Sequence, residues 1–231
     1  MDQNVALALF ELVVLVLSIS LHDCAQAWFA NRLGDPTARM LGRISLNPVK
    51  HADILGTLIW PILFIFQSPL VLGWGKPVPI TGRNFRRPGR DEMLVYLIGP
   101  FTHLAAAILF LLLLIALKHT VPFVAPSLHT AEALALRQPV PTVGLPPLFP
   151  AVLLLYFGIL VNLLLFAFNL IPLPALDGGK VLRHFLPYNA QRTFDNISLY
   201  LMIGFFFVGF RIILAIFLPL LLTFNGLLSA L

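Results

Sequence analysis

Long apolar stretches constrain this chain more than any other feature of its sequence. A helix that crosses a bilayer needs roughly 20 consecutive apolar residues, and five stretches come close to that length or exceed it. They cover residues 5–29, 54–72, 93–117, 148–170 and 197–231. Of the 231 residues, 59% are hydrophobic and 11% are charged, which is far from the composition of a soluble domain. The sequence therefore predicts an all-α polytopic protein of the cell (inner) membrane, with about five to six hydrophobic segments.

The basic residues indicate which ends of these stretches face the cytoplasm, because cytoplasmic loops carry an excess of lysine and arginine. Both connections that flank residues 54–72 are strongly basic. The connection before this stretch contains Arg32, Arg39, Arg43 and Lys50, and the connection after it contains Lys76, Arg83, Arg86, Arg87 and Arg90. A simple crossing would put one connection outside, so we expect residues 54–72 to form a bent or re-entrant element near the site. We also expect residues 42–48 and 76–80 to pair there as short extended strands. The connection 119–147 is poor in charge and is expected on the opposite side.

The last stretch, residues 197–231, is too long for one upright span and contains Arg211 and Pro219. It predicts either a helical hairpin or one broken, tilted helix. Because no repeat or long hydrophilic linker divides the chain, we expect a single membrane domain over residues 1–231. The net charge of +5 is typical of cytoplasmic loops beside anionic lipid, so membrane lipid is an expected partner and nucleic acid is not.

Polar residues interrupt the first apolar stretch near its C-terminal end. His22, Asp23 and Gln26 fall within little more than one helical turn, and polar groups at membrane depth usually have a function. His22 and Gln26 are four residues apart and share one helical face, as the two histidines of a zinc-binding H-E-x-x-H motif do. The charge distribution brings Asp177 to the same cytoplasmic end from a distant part of the sequence. These four residues form the candidate site.

Several ordered motifs give the chain a resemblance to a known family. LGDPTARMLGRISLNPVKHADILGT follows the polar turn, GWGKPVPI comes next, and then come Gly99-Pro100 and finally NLIPLPALDGG. In this order they resemble the site-2 protease family of intramembrane zinc metalloproteases, particularly its small bacterial members. The likeness extends over most of the chain.

The resemblance implies roles for individual residues. His22 and Asp177 correspond to zinc ligands, and Asp23 takes the position of the catalytic general base, a glutamate in the intact motif. Gln26 replaces the second histidine, so the motif reads His22-Asp23-Cys24-Ala25-Gln26. His103 stands where the family often has asparagine, and we interpret it as either a third zinc ligand or a packing residue between helices. Gln26, His51 and Asn169 are expected at the edge of the site.

Two hypotheses about function follow. In the first, the protein is a site-2-protease-like homologue whose peptidase activity is impaired or lost and which binds transmembrane segments or partner proteins; its zinc occupancy is then in doubt. In the alternative, it is an active intramembrane zinc endopeptidase with a rearranged metal site made of His22, His103 and Asp177. A transporter or channel is less well supported, because no pair of discontinuous helices repeats along the chain. The sequence leaves the substrate, the partner and the oligomeric state open.

Overall fold

The structure, a computed structural model, describes residues 3–231 apart from four side chains in the last helix, and it is almost entirely helical. The helices are α1 (Gln3–Leu33), α2 (Thr37–Met40), α3 (Trp60–Phe64), α4 (Arg90–Thr120), α5 (Val124–Ala135), α6 (Phe149–Asn169), α7 (Asp177–Phe185), α8 (Tyr188–Asn196) and α9 (Ser198–Ala230). Within the described residues, α1, α4, α6 and the Val208–Ala230 part of α9 are long and apolar enough to cross a membrane. The predicted all-α, multi-pass membrane fold is therefore confirmed.

Helix α6 is the centre of the bundle. Its sequence is almost entirely apolar, a pattern that indicates a helix surrounded by protein or lipid rather than by water. In the most apolar 18-residue section of α6, 83% of the residues are buried; in the corresponding sections of α1, α4 and α9 the buried share is 50%, 33% and 28%. The other long helices cover α6 and present their outer faces to lipid. On α1 that outer face contains Leu9, Val13 and Leu17, each about half exposed and four residues from the next.

The apolar stretch 54–72 forms a re-entrant hairpin, as the charge distribution had predicted. Its outgoing limb is a π-helical turn over Ile54–Ile59 followed by α3, and its return limb is extended. The two limbs meet at the base, where Ala52 forms an isolated antiparallel bridge with Gly75 and the Lys76 N–H donates to the His51 carbonyl at 2.7 Å. Both ends of the hairpin therefore lie at the same end of the bundle.

The predicted strand pairing between residues 42–48 and 76–80 is wrong. Among residues 3–231 no strand is formed, and the only bridge is the isolated pair at the hairpin base. The Arg43 side chain instead donates to the carbonyls of Lys76 and Pro77, at 2.6 and 3.2 Å. A guanidinium group thus satisfies the carbonyls that a neighbouring strand would have paired with.

The C-terminal stretch forms one helix, α9, and not a helical hairpin, so the structure decides between the two predicted alternatives. At 1.5 Å per residue it is about 50 Å long, whereas the hydrocarbon core is about 30 Å thick, so only part of it is needed to cross. Its far end is attached to the bundle by polar contacts: Lys118 Nζ donates to the carbonyls of Leu228 and Ser229, at 2.8 and 3.1 Å. Lysine at a helix C-terminus also interacts favourably with the helix dipole.

Candidate functional site

The structure brings the polar residues of α1 together with Asp177. His22 Nε2 lies 2.9 Å from Asp177 Oδ2, and the Gln26 side-chain amide donates to the same oxygen at 2.8 Å. All three side chains are buried, with exposed fractions of 8% or less. Residues more than 150 positions apart in sequence therefore form one polar cluster, as their shared cytoplasmic placement predicted.

Glycines allow this close approach. A Cβ atom added to Gly99 of α4 would collide with the side chains of His22, Gln26 and Asp177, so only glycine lets α4 pack directly against the cluster. A Cβ on Gly179 would collide with the backbone of Leu173 in the turn before α7. The turn can therefore fold back on the end of α6 and direct Asp177 inward only if position 179 has no side chain.

Asp23 contacts His22 on one side and residues outside the cluster on the other. Its Oδ1 lies 3.1 Å from His22 Nδ1, while its Oδ2 accepts a hydrogen bond from Arg43 at 3.1 Å and lies 3.3 Å from His51 Nδ1. His51 is fully buried, and its Nε2 lies 2.6 Å from the Ser45 carbonyl. Both oxygens of the carboxylate at the general-base position are therefore engaged by neighbouring groups.

A cavity of about 360 Å³ opens beside the cluster. His22, Gln26, Asp177 and His103 line its polar part, and Asp23 is absent from the lining. The apolar wall comes from α1, the hairpin's return limb and the segment that follows it, and the end of α6 with its following turn: Ile19, Gly73, Trp74, Val78, Leu165, Phe168 and Leu176. Asn169, expected at the site edge, also lines the cavity, although its side-chain amide donates to the Leu165 carbonyl of its own helix at 2.9 Å.

His103 lies directly against His22. The two rings stack nearly in parallel, with centroids 4.9 Å apart and planes inclined by 19°. His103 Nδ1 is 3.1 Å from Oδ1 of Asn162, a fully buried residue of α6. The sequence reasoning missed Asn162, although it is a lone amide in the middle of an apolar span, and that signal marks functional residues at membrane depth.

Lys180, one turn after Asp177, is a second residue that the sequence reasoning missed. Its Nζ donates to Asp177 Oδ1 at 3.1 Å and lies 5.0 Å from the centre of the Tyr96 ring. Burial alone would raise the pKa of Asp177, but the contacts with His22 and Lys180 outweigh it and lower that pKa below its ordinary value. Asp177 is therefore held as a carboxylate between two cationic or hydrogen-donating groups.

The donor atoms do not fit a zinc ion as they are arranged. A protein zinc site needs at least three good donors that converge on one point. His22 Nε2 and Asp177 Oδ2 face each other, but Gln26 directs an amide N–H at Asp177, and an N–H group cannot ligate a metal. Within residues 3–231 no group of three or more His, Cys, Asp or Glu side chains is placed to hold a metal ion. The ligand set that includes His103 stays a prediction.

Comparison with known proteins supports the resemblance noted in the sequence. Residues 10–209 match the family model described as "Peptidase family M50". The chain is 31% identical over 208 residues to "Putative zinc metalloprotease YwhC" of Bacillus subtilis (strain 168), which covers 90% of this chain and 80% of the relative.

More distant relatives come from two strains of Mycobacterium tuberculosis. The chain is 28% and 29% identical to their "Putative zinc metalloprotease Rip2" over 179 residues, which is 77% of this chain and 58% of the relative. No solved structure matches the chain significantly. The family match and the YwhC alignment each extend over most of the sequence, and they lead to one conclusion: the chain belongs to peptidase family M50, the membrane-embedded site-2 protease family.

Proposed function

We propose that this protein binds transmembrane segments or membrane partner proteins in its cavity and that its peptidase activity is impaired or lost. The observation that carries the proposal is the state of Asp23. A general base must reach the proton that it removes, directly or through one water. Asp23 instead interacts with His22, Arg43 and His51, and its side chain does not line the cavity.

The substitution of glutamate by aspartate supports the same interpretation. Asp23 is one methylene shorter than the glutamate of an intact motif, and its Oδ2 is held by a guanidinium group. A hydrogen bond that involves a charged donor or acceptor is about twice as strong as one between neutral groups. Turning the Asp23 carboxylate toward the cavity would break this contact with Arg43 and leave a buried cation without its partner, which is costly.

The charges around the site also support a function that needs no metal. The two buried carboxylates, Asp23 and Asp177, are each paired with a cation: Arg43 at 3.1 Å and Lys180 at 3.1 Å. Gln26 contributes a neutral amide where the intact motif has an imidazole ligand. Hydrogen bonds therefore satisfy the cluster internally, as buried polar groups require.

The cavity supports a binding role. It lies between helices at membrane depth, and most of its lining is apolar, which suits an apolar polypeptide segment better than a water-soluble ligand. The lipid-facing hairpin forms one of its walls, and Leu58, Ile62 and Leu63 of that hairpin are each about half exposed. A transmembrane segment in the lipid could approach this wall without leaving the membrane.

Photo-crosslinking tests the binding role. A photoreactive residue at Val78, which lines the cavity, should capture a synthetic transmembrane helix in proteoliposomes. The same residue at Leu109, on the lipid face of α4, is the matched control and should capture much less. Equal capture at the two positions would contradict binding in the cavity.

Zinc analysis separates this proposal from the alternative of an active enzyme with a rearranged site. The proposal expects purified protein to hold far less than one zinc per chain. The alternative expects one zinc per chain, lost on substitution of His22, His103 or Asp177 by alanine and retained with Gln26→Ala. A full zinc complement with that pattern of losses would replace the proposal by the alternative.

A further inference from the structure

The orientation of Asn162 is fixed by its neighbours. Its side-chain nitrogen donates to the Gly158 carbonyl at 2.8 Å and to Ser18 Oγ at 2.9 Å. A backbone carbonyl can only accept, so the amide nitrogen must lie on that side and the amide oxygen on the other. Oδ1 therefore faces His103 Nδ1, at 3.1 Å.

This orientation determines where His103 carries its hydrogen. An amide oxygen can only accept a hydrogen bond, so Nδ1 of His103 is the donor and bears the hydrogen. In a neutral imidazole the other nitrogen, Nε2, then has a lone pair. A second hydrogen would make His103 a cation stacked on His22, and none of the ion pairs in the described part of the chain supplies His103 with a carboxylate.

Among the described residues, no hydrogen bond is formed by His103 Nε2. His103 as a whole is only 2% exposed and lines the cavity, and its Nε2 is not one of the fully enclosed side-chain nitrogens that lack a partner. The Nε2 lone pair is therefore open to the cavity, where a bound molecule can donate a hydrogen bond to it.

We infer that Nε2 of His103, positioned by Asn162, accepts a hydrogen bond from a serine, threonine, asparagine or glutamine side chain of the bound transmembrane segment. The inference rests on the proposed binding function and names the class of segment that the cavity selects. A purely apolar helix has all its central backbone N–H groups satisfied internally and offers this nitrogen nothing. A helix with one side-chain donor at the depth of His103 completes the site.

The expected preference is moderate. Hydrogen bonds between membrane helices contribute about 0.6 kcal/mol on average and up to about 1.7 kcal/mol. With a factor of ten for each 1.4 kcal/mol, these values correspond to roughly 3-fold to 20-fold in affinity. The selectivity is therefore large enough to measure by competition between two peptides.

The test uses the full chain in nanodiscs with a metal chelator, so that zinc cannot contribute. The probes are two synthetic leucine-alanine transmembrane helices that differ at one position at the depth of His103, where one has serine and the other alanine. The serine peptide should bind roughly 3-fold to 20-fold more tightly. His103→Leu should abolish the preference for the serine peptide, because the acceptor is gone.

A second measurement tests whether Asn162 positions the His103 ring and its hydrogen. Nitrogen-15 NMR of histidine-labelled protein should show His103 with its hydrogen on Nδ1. Asn162→Leu should shift His103 toward the other tautomer and weaken the serine preference. The matched control, Asn225→Leu, removes a side chain that bonds Tyr156 and Glu132 at the other end of the bundle and should change neither.

The outcomes are distinguishable. Equal binding of both peptides by the natural chain, or a hydrogen on Nε2, would overturn this inference and leave the binding function intact. If neither peptide binds, the binding function fails and the inference fails with it. The comparison of the two peptides needs no variant, so a misfolded substitution cannot decide the result.

Discussion

The ion pair between Glu11 and Arg137 gives the sharpest prediction about stability. Glu11 is 1% exposed inside α1, and its Oε2 accepts from Arg137 at 2.9 Å. Its Oε1 accepts from the backbone N–H of Val71 in the hairpin, at 3.1 Å. Arg137 also lies 3.5 Å from the Ile65 carbonyl near the hairpin tip. One buried carboxylate thus joins α1, the re-entrant hairpin and the connection after α5.

Arg137→Gln should destabilise the protein by about 3 kcal/mol. Removing one partner of a buried ion pair costs about 3–5 kcal/mol, since the other charge is left uncompensated. The lower end applies because the Arg137 side chain is 16% exposed. The double variant Glu11→Gln with Arg137→Gln leaves no unpaired charge, so it should lose less than the sum of the single variants.

The assay is a double-mutant cycle on reversible unfolding in detergent, which isolates the coupling energy of the pair. We expect a coupling of about 2 kcal/mol or more for Glu11 and Arg137. The matched control is the pair Arg183 and Asp195, whose side chains are 45% and 44% exposed. Exposed pairs contribute at most about 1 kcal/mol. If both cycles gave the same coupling, the reasoning about burial would be refuted.

Three further predictions concern topology, a loop anchor and helix packing. Cysteines introduced at Arg86 and Val143 should react with an impermeant reagent from opposite sides of the membrane, and labelling of both from outside would overturn the predicted sidedness. Asp35 accepts hydrogen bonds from two residues of the second basic connection and from Thr37. Burial would raise the pKa of Asp35, but these bonds lower it below its ordinary value. The Asp35 carboxylate therefore stabilises the folded protein fully at pH values above its pKa in the unfolded state. This stabilisation is lost as the pH falls through the lower pKa that Asp35 has in the folded state. Asp35→Asn should lose about 1.5–3 kcal/mol at neutral pH, with a smaller loss in acid, and a loss independent of pH in unfolding experiments would contradict the ionic role. Gly99→Ala should push α4 away from the cluster and lower the melting temperature, whereas the control Gly226→Ala, whose added Cβ would have no neighbour within 4 Å, should not; melting curves of both variants check this.

Much of the fold followed from physical constraints that can be read locally. The length and composition of the apolar stretches predicted the crossing helices, and the two basic connections around residues 54–72 predicted the re-entrant hairpin. Charge distribution also predicts that His22 and Asp177 lie at one end of the bundle, and in the structure their side chains are 2.9 Å apart.

Other features depended on contacts between distant residues. The strand pairing failed because the Arg43 side chain, rather than a strand, satisfies the carbonyls of the return limb. The direction of Asp23 depends on Arg43 and His51, and neither partner can be inferred from helix periodicity. Lys180 was missed because it acquires its role only through its contact with Asp177. Asn162 could have been noticed as a lone amide inside an apolar span, but its contact with His103 depends on how α4 and α6 pack.

The cleavage rate of a transmembrane substrate tests the central claim most directly. The natural chain should be compared, in zinc-containing proteoliposomes, with the double variant Asp23→Glu and Gln26→His, which restores the H-E-x-x-H pattern. A family member with an intact motif serves as the positive control for the substrate. Loss of a positioned general base removes about 10²–10⁴-fold of rate, so we expect the natural chain to be slower than the double variant by at least about 100-fold. Cleavage by the natural chain at the rate of the double variant would contradict the account.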